Sequence, residues 1–183
     1  MNCLSLNCRG LGNPREVREL RDFVKQFDHA LLFVMETKIE ANRVEKLAST
    51  FGFVKGFAVS SEGLSGGVGI FWLAAVSVDI KNYSKNHIDL LVECKDGSIP
   101  KWRFTGIYGE PRRENRHNTW TLMRRLRGLQ NLPWMCIGNF NETVYSTEHF
   151  SEHERDEWKM RAFRDTVEDC DLQDLGFLGV PYT

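Results

Sequence analysis

Several strand-like runs of the sequence end in polar side chains that suit the chemistry of a metal ion and a phosphate. These side chains are Asn7, Glu36, Tyr108, Asn139 and Asn141. The ends of strands in α/β sheets are where ligands and catalytic groups collect. Mg²⁺ prefers oxygen ligands, keeps several water molecules and uses one or two protein carboxylates together with a substrate phosphate. The pattern therefore predicts metal-assisted phosphate chemistry, with Glu36 as the carboxylate.

The run Pro133–Asn141 carries the two asparagines that come last in this set. Alternation along a strand sends residues two apart to the same face, so we expect Asn139 and Asn141 to project together. A pair of amides can orient a phosphate or a water molecule, but neither amide accepts a proton at pH 7. This segment therefore predicts a site that lacks a general base of its own.

The elements that must position these side chains follow from the hydrophobic period and the turn residues. Apolar runs bounded by turn residues predict strands, and apolar residues three or four apart predict helices. The predicted strands are 3–9, 30–35, 53–60, 67–73, 76–83, 87–94, 101–108 and 133–137. A first helix is predicted to begin at Asn13-Pro14 and to bury a stripe that includes Phe23 and Phe27. Three further helices are predicted around 44–51, 115–129 and 155–169. The order predicts a single mixed α/β domain over residues 1–183.

Composition limits the class of protein. The 183 residues are 42% hydrophobic and 27% charged, which is typical of a folded globular chain. No apolar run approaches the roughly 18 residues of a membrane span, and no signal-peptide pattern stands at the N-terminus. We therefore expect an intracellular protein, nuclear or cytoplasmic and not secreted, that has no membrane partner. The five cysteines contain no CxxC pair, so neither a zinc site nor a disulfide framework is expected.

A nucleic-acid partner requires a local basic surface, because the formal net charge is only −1. Arginines cluster just after Tyr108, and they are Arg112, Arg113, Arg116, Arg124, Arg125 and Arg127. On a helix that buries its opposite face, such residues form either a solvated surface or a surface that contacts the DNA backbone. A surface that contacts DNA predicts binding that falls steeply with salt, whereas a solvated surface predicts salt-independent or absent binding.

The order of the motifs resembles the endonuclease/exonuclease/phosphatase family, and most of all the apurinic-type endonuclease domain of plant LINE (non-LTR) retrotransposons. The motifs are NCRG, ET, IYGEP, GNFNE and DLGFLG, and the resemblance runs from residue 4 to residue 183. It implies a DNase I-like α/β fold, a four-layer α-β-β-α sandwich. It also implies a hydrolase that cleaves phosphodiester bonds in DNA with Mg²⁺ or Mn²⁺. In the family the domain is fused to a reverse transcriptase, and no obligate protein partner is inferred.

Carried over by position, the resemblance implies roles for individual residues. Glu36 resembles the main metal ligand, assisted by Asn7, and Tyr108 resembles a tyrosine that contacts the phosphate. Asn141 resembles the asparagine beside the scissile group, and Thr183 resembles a threonine near the same site, where nucleic acid would lie. Three of the arginines are expected to contact the DNA itself, namely Arg112, Arg113 and Arg116.

Two departures from the family pattern lower the expected activity. The family sequence GDFN is Gly138-Asn-Phe-Asn141 here, so Asn139 replaces a carboxylate that aligns or deprotonates water, a contribution of about 10²–10⁴-fold in rate. The family's closing strands, with an aspartate and a Ser-Asp-His motif, would follow Thr183, so we expect a C-terminally truncated fold. The result is a degenerate domain, weakly active or inactive. The alternative is a non-catalytic remnant that binds metal or nucleic acid.

Two further motifs match other chemistries only in part. Gly66-Gly-Val-Gly69 lacks the Lys-Ser/Thr ending of a phosphate loop and enters a strand, so it predicts a turn. His149-Phe-Ser-Glu-His153 matches the HxxEH pattern of inverted zinc peptidases, although 30 residues follow it and the third ligand of such a site lies well downstream. A zinc peptidase built on His149 and His153 is therefore a remote alternative. It predicts a peptidase activity that Glu152→Ala abolishes.

Overall fold

The computed structural model describes residues 1–63, 65–145 and 157–176. The chain forms two compact units. The first consists of residues 1–108 and 132–139 and contains both β-sheets, and the second contains residues 109–131, 140–145 and 157–176. The single domain over 1–183 stays a prediction. No helix in the described ranges is long and apolar enough to cross a membrane.

The first sheet has the strand order β1-β2-β4-β3. Strand β1 (Cys3–Asn7) pairs in parallel with β2 (Leu31–Met35). Strand β4 (Val68–Trp72) runs antiparallel to β2 and to the edge strand β3 (Lys55–Val59). Every residue of β2 is buried, as a continuous apolar run predicts for a central strand. The parallel pairing sets Asn7 opposite Met35, the residue before Glu36.

The second sheet has the strand order β5-β6-β7-β8. Strands β5 (Val76–Ser84), β6 (His87–Cys94) and β7 (Trp102–Tyr108) form an antiparallel meander, and β8 (Trp134–Asn139) is parallel to β7. The last pair sets Tyr108 opposite Asn139. In both sheets, therefore, a parallel pair brings predicted site residues to the same carboxyl edge.

Three helices belong to the first unit, and they are α1 (Pro14–Val24), α2 (Ala41–Glu45) and α3 (Ala48–Phe51). They pack on one face of the first sheet, and the other face of that sheet packs on the second sheet. The rings of Phe33 in β2 and Phe104 in β7 meet edge to face in the apolar core between the two sheets, with centroids 6.3 Å apart. The first unit is thus a helix layer followed by two sheets.

Helix α1 begins as predicted but buries less than predicted. The side chain of Asn13 accepts a hydrogen bond of 2.9 Å from the Arg15 amide, which is the expected N-cap. The predicted buried stripe is wrong at Phe23 and Phe27, which are 41% and 46% exposed and pack against each other. The helix ends at Val24, so Phe27 does not continue its helical face.

Element boundaries differ from the predictions at three places. Strand β1 stops at Asn7 instead of residue 9, because Arg9 has a left-handed backbone with φ 54°. The predicted helix around 44–51 is divided into α2 and α3. Strand β8 continues through Gly138 to Asn139, although the glycine had suggested an end at residue 137.

The second unit contains a short 3₁₀ helix, Arg113–Asn115, followed by α4 (His117–Arg127) and α5 (Glu157–Asp169). Helix α4 buries Trp120, Met123 and Leu126, as predicted from their spacing. The same spacing predicts an inward Leu129, which is wrong, because the helix ends at Arg127 and Leu129 is 54% exposed. The ring of Trp120 stacks on Phe163 of α5 at 4.6 Å. This stack joins the two helices into one packed layer.

Gly138 permits the last two residues of β8 to pair with β7, and replacing it tests this register. Its φ is +145°, and a Cβ added there would lie 1.9 Å from the carbonyl oxygen of Ile107. We expect Gly138→Ala to lower the free energy of unfolding by ~3 kcal/mol, since it combines backbone strain with a steric clash. Urea unfolding followed by circular dichroism measures the change.

The matched control for this substitution is Gly97→Ala. Gly97 also has a positive φ, +70°, but an added Cβ meets nothing within 4 Å. Only the backbone cost of about 1 kcal/mol is expected there. Equal losses of stability in the two variants would contradict the close approach at Gly138.

Candidate active site

The structure brings three of the predicted residues together in the first unit. Asn7 Nδ2 donates a hydrogen bond of 2.9 Å to Glu36 Oε1, and the Tyr108 hydroxyl donates one of 3.0 Å to the same oxygen. Asn7 ends β1, Glu36 follows β2 and Tyr108 ends β7, so both sheets contribute. One carboxylate oxygen is thereby held from two sides at the predicted strand edge.

The backbone around this carboxylate adopts an uncommon conformation. Glu36 has φ 53°, and Arg9 and Lys38 nearby have φ 54° and 56°. Non-glycine residues rarely occupy this left-handed region, and where they do, the surrounding structure has to hold them. Because such strain gathers at functional sites, it is an independent indication that the Glu36 loop has a function.

Two glycines that directly precede β4, Gly66 and Gly67, support the loop that carries Glu36. The amides of Thr37 and Lys38 donate to the carbonyl oxygens of Gly67 and Gly66, each over 3.1 Å. Gly67 has φ +84°, and a Cβ there would lie 2.3 Å from the Thr37 hydroxyl oxygen. The segment enters strand β4, as predicted, but Gly66 and Gly67 are irregular backbone and not a turn. Their contact with the loop after β2 had no signal in the sequence, because the two segments are distant in the chain.

The charge state of Glu36 is fixed by its surroundings. Partial burial by itself raises the pKa of this carboxyl, and hydrogen bonds from Asn7 and Tyr108 together with the positive charges of Lys38 and Arg9 lower it. The lowering effects win, so the pKa of Glu36 lies below its ordinary value. Lys38 Nζ is 3.7 Å from Glu36 Oε2. Glu36 is therefore a carboxylate at neutral pH and has no proton to donate.

Tyr108 is itself held by a residue that the sequence analysis did not select. The Tyr108 amide donates 2.8 Å to the carbonyl oxygen of Asn86, and Asn86 Nδ2 donates 2.9 Å to the carbonyl oxygen of Tyr108. Asn86 lies in the turn between β5 and β6, where Ser84 Oγ accepts from its amide and contacts Nδ1 of the buried His87 at 2.7 Å. In the sequence, Asn86 could have been noticed because the polar pair Lys85-Asn86 lies between two predicted strands and so marks a turn.

Asn139 lies at the same edge of the second sheet as Tyr108. The two residues are partners across β7 and β8, and the Asn139 amide lies 3.2 Å from the sulfur of Met35, the residue before Glu36. Its side chain is half-buried. The backbone is thus placed as predicted, and the action of its side chain on water stays a prediction.

Asn141 belongs to the second unit, and the alternation argument does not hold for it. The strand ends at Asn139, and Asn141 has a left-handed backbone with φ 57°, so period-two alternation stops before it. Its Nδ2 donates a hydrogen bond of 2.6 Å to the carbonyl oxygen of Gly109. In this structure Asn141 fixes the chain that follows β7, and its predicted phosphate contact is untested.

The predicted DNA-contacting arginines differ in their surroundings. Arg112 and Arg113 are exposed, whereas Arg116 is largely buried and pairs with Glu142 at 2.8 Å. Arg124 and Arg127 pair with acids of the C-terminal region, which favours the solvated interpretation for those two. DNA contact by the cluster stays a prediction. Three predicted residues lie outside the described ranges, and they are His149, His153 and Thr183.

The donor set at Glu36 fits a hard cation of the kind predicted. Among the described residues, no three His, Cys, Asp or Glu side chains cluster, so a metal ion at this place would have Glu36 as its one protein carboxylate. Mg²⁺ accepts such a site because it keeps water ligands and takes further oxygens from a phosphate. Glu36 Oε2 and the Asn7 amide oxygen are the protein oxygens that would serve. Lys38 would have to move from Oε2, and the Asn7 oxygen would have to release the hydrogen bond of 3.3 Å that it accepts from the Arg9 amide.

Comparisons with known proteins show the fold. No protein-family model and no curated protein sequence matches the chain. The endonuclease domain of TRAS1, a telomere-specific non-LTR retrotransposon, matches with TM-score 0.64 and 13% identity, over 91% of this chain and 71% of that domain. An AP endonuclease from Archaeoglobus fulgidus matches with TM-score 0.64 and 14% identity, over 91% and 68% of the two chains.

A third solved structure is a variant of the 3′ phosphatase NExo from Neisseria, bound to a product DNA hairpin. It matches with TM-score 0.66 and 12% identity, over 91% of this chain and 70% of that chain. At these identities the likeness concerns the fold. The DNase I-like α/β fold predicted from the motifs is thereby confirmed.

Removing the Tyr108 hydroxyl tests the electrostatics of the site. The folded pKa of Glu36 is lowered, so its ionisation stabilises the fold above its unfolded pKa, and this stabilisation is lost as pH falls through the folded pKa. We expect Tyr108→Phe to raise the pKa of Glu36 and to weaken the fold at neutral pH but not below the folded pKa. A carboxyl-carbon NMR titration measures the pKa, and urea unfolding across pH measures the stability.

The control is Tyr83→Phe, which removes the hydroxyl of an exposed tyrosine in β5. It should leave the pKa of Glu36 unchanged. If Tyr108→Phe also leaves that pKa unchanged, the hydrogen bond from Tyr108 to Glu36 does not exist in solution.

Proposed function

We propose that this chain is a metal-dependent phosphodiesterase domain of the nuclease type that acts on DNA, with turnover reduced by Asn139. The observation that carries the proposal is the Glu36 carboxylate held by Asn7 and Tyr108 at the strand edge. The fold supports it, because structures with this fold include a retrotransposon endonuclease, an AP endonuclease and a phosphatase bound to a DNA product.

The more specific parts of the proposal depend on the sequence resemblance. The ETK and GNFNE segments favour origin in a plant LINE element, in which the domain is joined to a reverse transcriptase and acts inside the cell. An endonuclease of a mobile element has DNA as its natural substrate. The TRAS1 endonuclease domain, one of the matching structures, also comes from a non-LTR retrotransposon.

Glu36 and Asn7 would hold Mg²⁺ or Mn²⁺ through oxygen atoms. The bound ion would offset the negative charge that develops on the phosphate during attack by water. Because the pKa of Glu36 is lowered, its side chain is ionised at neutral pH and would serve as a metal ligand and not as a proton donor. Asn7 and Tyr108 orient that carboxylate, and the ammonium of Lys38 supplies positive charge beside it.

In this proposal Asn139 is the residue that reduces turnover. An amide orients water through hydrogen bonds but does not accept a proton at neutral pH. The attacking water therefore loses general-base assistance, which is worth about 10²–10⁴-fold in rate. The same observation favours a second candidate function, a domain that binds metal or DNA at this site without cleaving the bond.

Nicking of supercoiled plasmid tests the proposed activity. We expect slow nicking that requires Mg²⁺ or Mn²⁺ and disappears in Glu36→Ala, because that variant removes the carboxylate ligand. Asn139→Asp should raise the rate by up to about 10²-fold, the lower end of the general-base contribution. Gel electrophoresis over time gives the rates, and purified Glu36→Ala also reports any contaminating nuclease.

Glu93→Ala is the matched control, since it removes an exposed carboxylate of β6 and should leave nicking unchanged. Nicking that persists in Glu36→Ala or proceeds in EDTA would contradict the proposal. Absence of nicking in both the natural chain and Asn139→Asp would instead support the non-catalytic function.

A further inference from the structure

The second sheet buries an ion pair that has no part in the proposed site. Asp89 in β6 and Arg103 in β7 are each 1% exposed. Arg103 Nε lies 2.7 Å from Asp89 Oδ1, and Arg103 Nη2 lies 2.9 Å from Asp89 Oδ2. Removing two charges from water costs free energy that their attraction offsets only in part, so a buried pair is weak evidence for a gain in stability. A role in selecting one conformation is the alternative.

Two further side chains complete the pair, and the four residues together are called the Asp89 cluster. Thr105 Oγ1 donates a hydrogen bond of 2.7 Å to Asp89 Oδ1, and Trp134 Nε1 donates one of 2.7 Å to Thr105 Oγ1. The guanidinium carbon of Arg103 lies 4.8 Å from the centre of the Trp134 ring. The cluster thus joins β6, β7 and β8 on the face of the second sheet that points away from the core between the sheets.

Turn geometry fixes the register of β5 with β6, but it does not fix the register of β6 with β7. Only residues 85 and 86 separate the paired residues Ser84 and His87, and a connection of that length sets the register of a hairpin. Segment 95–101, which joins β6 to β7, is longer than the tight loops that specify a register. The apolar side chains do not exclude a shift of two residues either, because alternation returns the same face to the core after two residues.

The Asp89 cluster distinguishes the native register, in which Asp89 lies opposite Thr105, from shifts of two residues. A shift in one direction sets Asp89 opposite Ile107, which has no polar side chain, and moves Arg103 two residues farther away. The buried carboxylate then loses its donors, a cost that corresponds to a preference of roughly 10²-fold or more for the native register. The shift in the other direction brings Pro100 into the paired part of β7, where a proline has no amide to donate.

The register of β6 with β7 reaches the proposed site through Asn86 and Tyr108. These two residues directly follow the last pair of β6 and β7, and the two hydrogen bonds between them require the native register. Gly106 also restrains β7, since a Cβ there would overlap the Phe33 ring, but this contact does not restrain β6. A shift of two residues is a movement of about 7 Å along the strand. It would separate Asn86 from Tyr108 and release the backbone that carries the Tyr108 hydroxyl.

We propose that Asp89 and Arg103 are positioning residues, whose buried pair selects the register in which Asn86 holds Tyr108 beside the Glu36 carboxylate. The proposal rests on the proposed function for the role of Glu36. It adds to that function two residues that touch neither the metal nor the substrate. An apolar pair of similar volume would keep the fold and lose the selection of register.

Replacing both members of the pair by apolar side chains tests the proposal. We expect the double variant Asp89→Leu/Arg103→Met to fold, as measured by circular dichroism, because apolar residues often replace a buried ion pair without loss of stability. Cross-strand NOE contacts of the Ile88 backbone report the register, with Gly106 in the native register and with Tyr108 in the shifted one. We expect only the native contacts in the natural chain and both sets in the double variant.

The double variant should also change the site, which a pair with a purely structural role would not do. The pKa of Glu36 should rise toward its ordinary value, because Tyr108 no longer donates to it in every molecule. Nicking in Mg²⁺ should slow about 10- to 100-fold, as for other groups that orient a metal ligand. Glu93→Leu/Lys101→Met is the matched control, since it removes an exposed ion pair between β6 and the residue before β7. It should leave the register, the pKa of Glu36 and the nicking rate unchanged.

A folded double variant that keeps only the native register overturns the proposal, and so does a shifted register with the pKa of Glu36 unchanged. A second apolar pair, Asp89→Val/Arg103→Leu, is used where the first does not fold. Loss of folding in both variants, with the control folded, also overturns the proposal, because the pair would then supply stability and not register.

The outcome is separable from that of the nuclease proposal, because the register and the pKa of Glu36 are measured without a divalent ion. Metal-dependent nicking by the natural chain, with the native register kept in the double variant, would reject the positioning role and keep the nuclease. A shifted register and a raised pKa in the double variant, with no nicking by the natural chain, would reject the nuclease and keep the positioning role.

Discussion

The position of one atom, Glu36 Oε1, is the constraint on which the proposed site depends. Asn7 from one sheet and Tyr108 from the other both donate to this oxygen. The two donors meet only if β1 keeps its register with β2 and β7 keeps its register with β6. A slip by one residue would reverse the faces of a strand and remove a donor. The apolar core between the sheets, with Phe33 against Phe104, holds both registers at once.

The loop that carries Glu36 is held against its own conformational preference. Left-handed backbones at Arg9, Glu36 and Lys38 cost stability, and neighbouring segments offset that cost. The Gly66-Gly67 carbonyl groups receive the loop amides, while Asn86 fixes the backbone of Tyr108. Stabilising groups that do not touch a ligand thus determine where the carboxylate points. Such an arrangement is expected where function requires a fixed charge at the end of a strand.

Much of the fold could be predicted from the sequence, because its strands are short apolar runs with clear turn residues between them. The meeting of Asn7, Glu36 and Tyr108 could also be predicted, since each lies at or just after the end of a strand, where ligands and catalytic groups collect in α/β folds. Two predictions failed because they extended a local period beyond its element. Asn141 lies past the end of β8, and Phe27 lies past the end of α1.

Contacts between segments distant in the chain could not be predicted from local pattern. The support of Thr37 by Gly67, the clamp of Asn86 on Tyr108 and the burial of Arg116 against Glu142 all require the folded chain. The exposure of Trp158 is a further case. A tryptophan in a helix of apolar period is expected to be buried, and only the packing of α5 shows that another face of the helix is used.

Mn²⁺ titration of the ¹⁵N-labelled chain tests the central claim most directly, since a paramagnetic ion broadens the amide signals nearest to it. The account predicts that the signals of Asn7, Glu36 and Tyr108 broaden first, and that Glu36→Gln removes this selective effect. Broadening that spares these three residues, or that persists unchanged in Glu36→Gln, would contradict the assignment of Glu36 as the metal ligand.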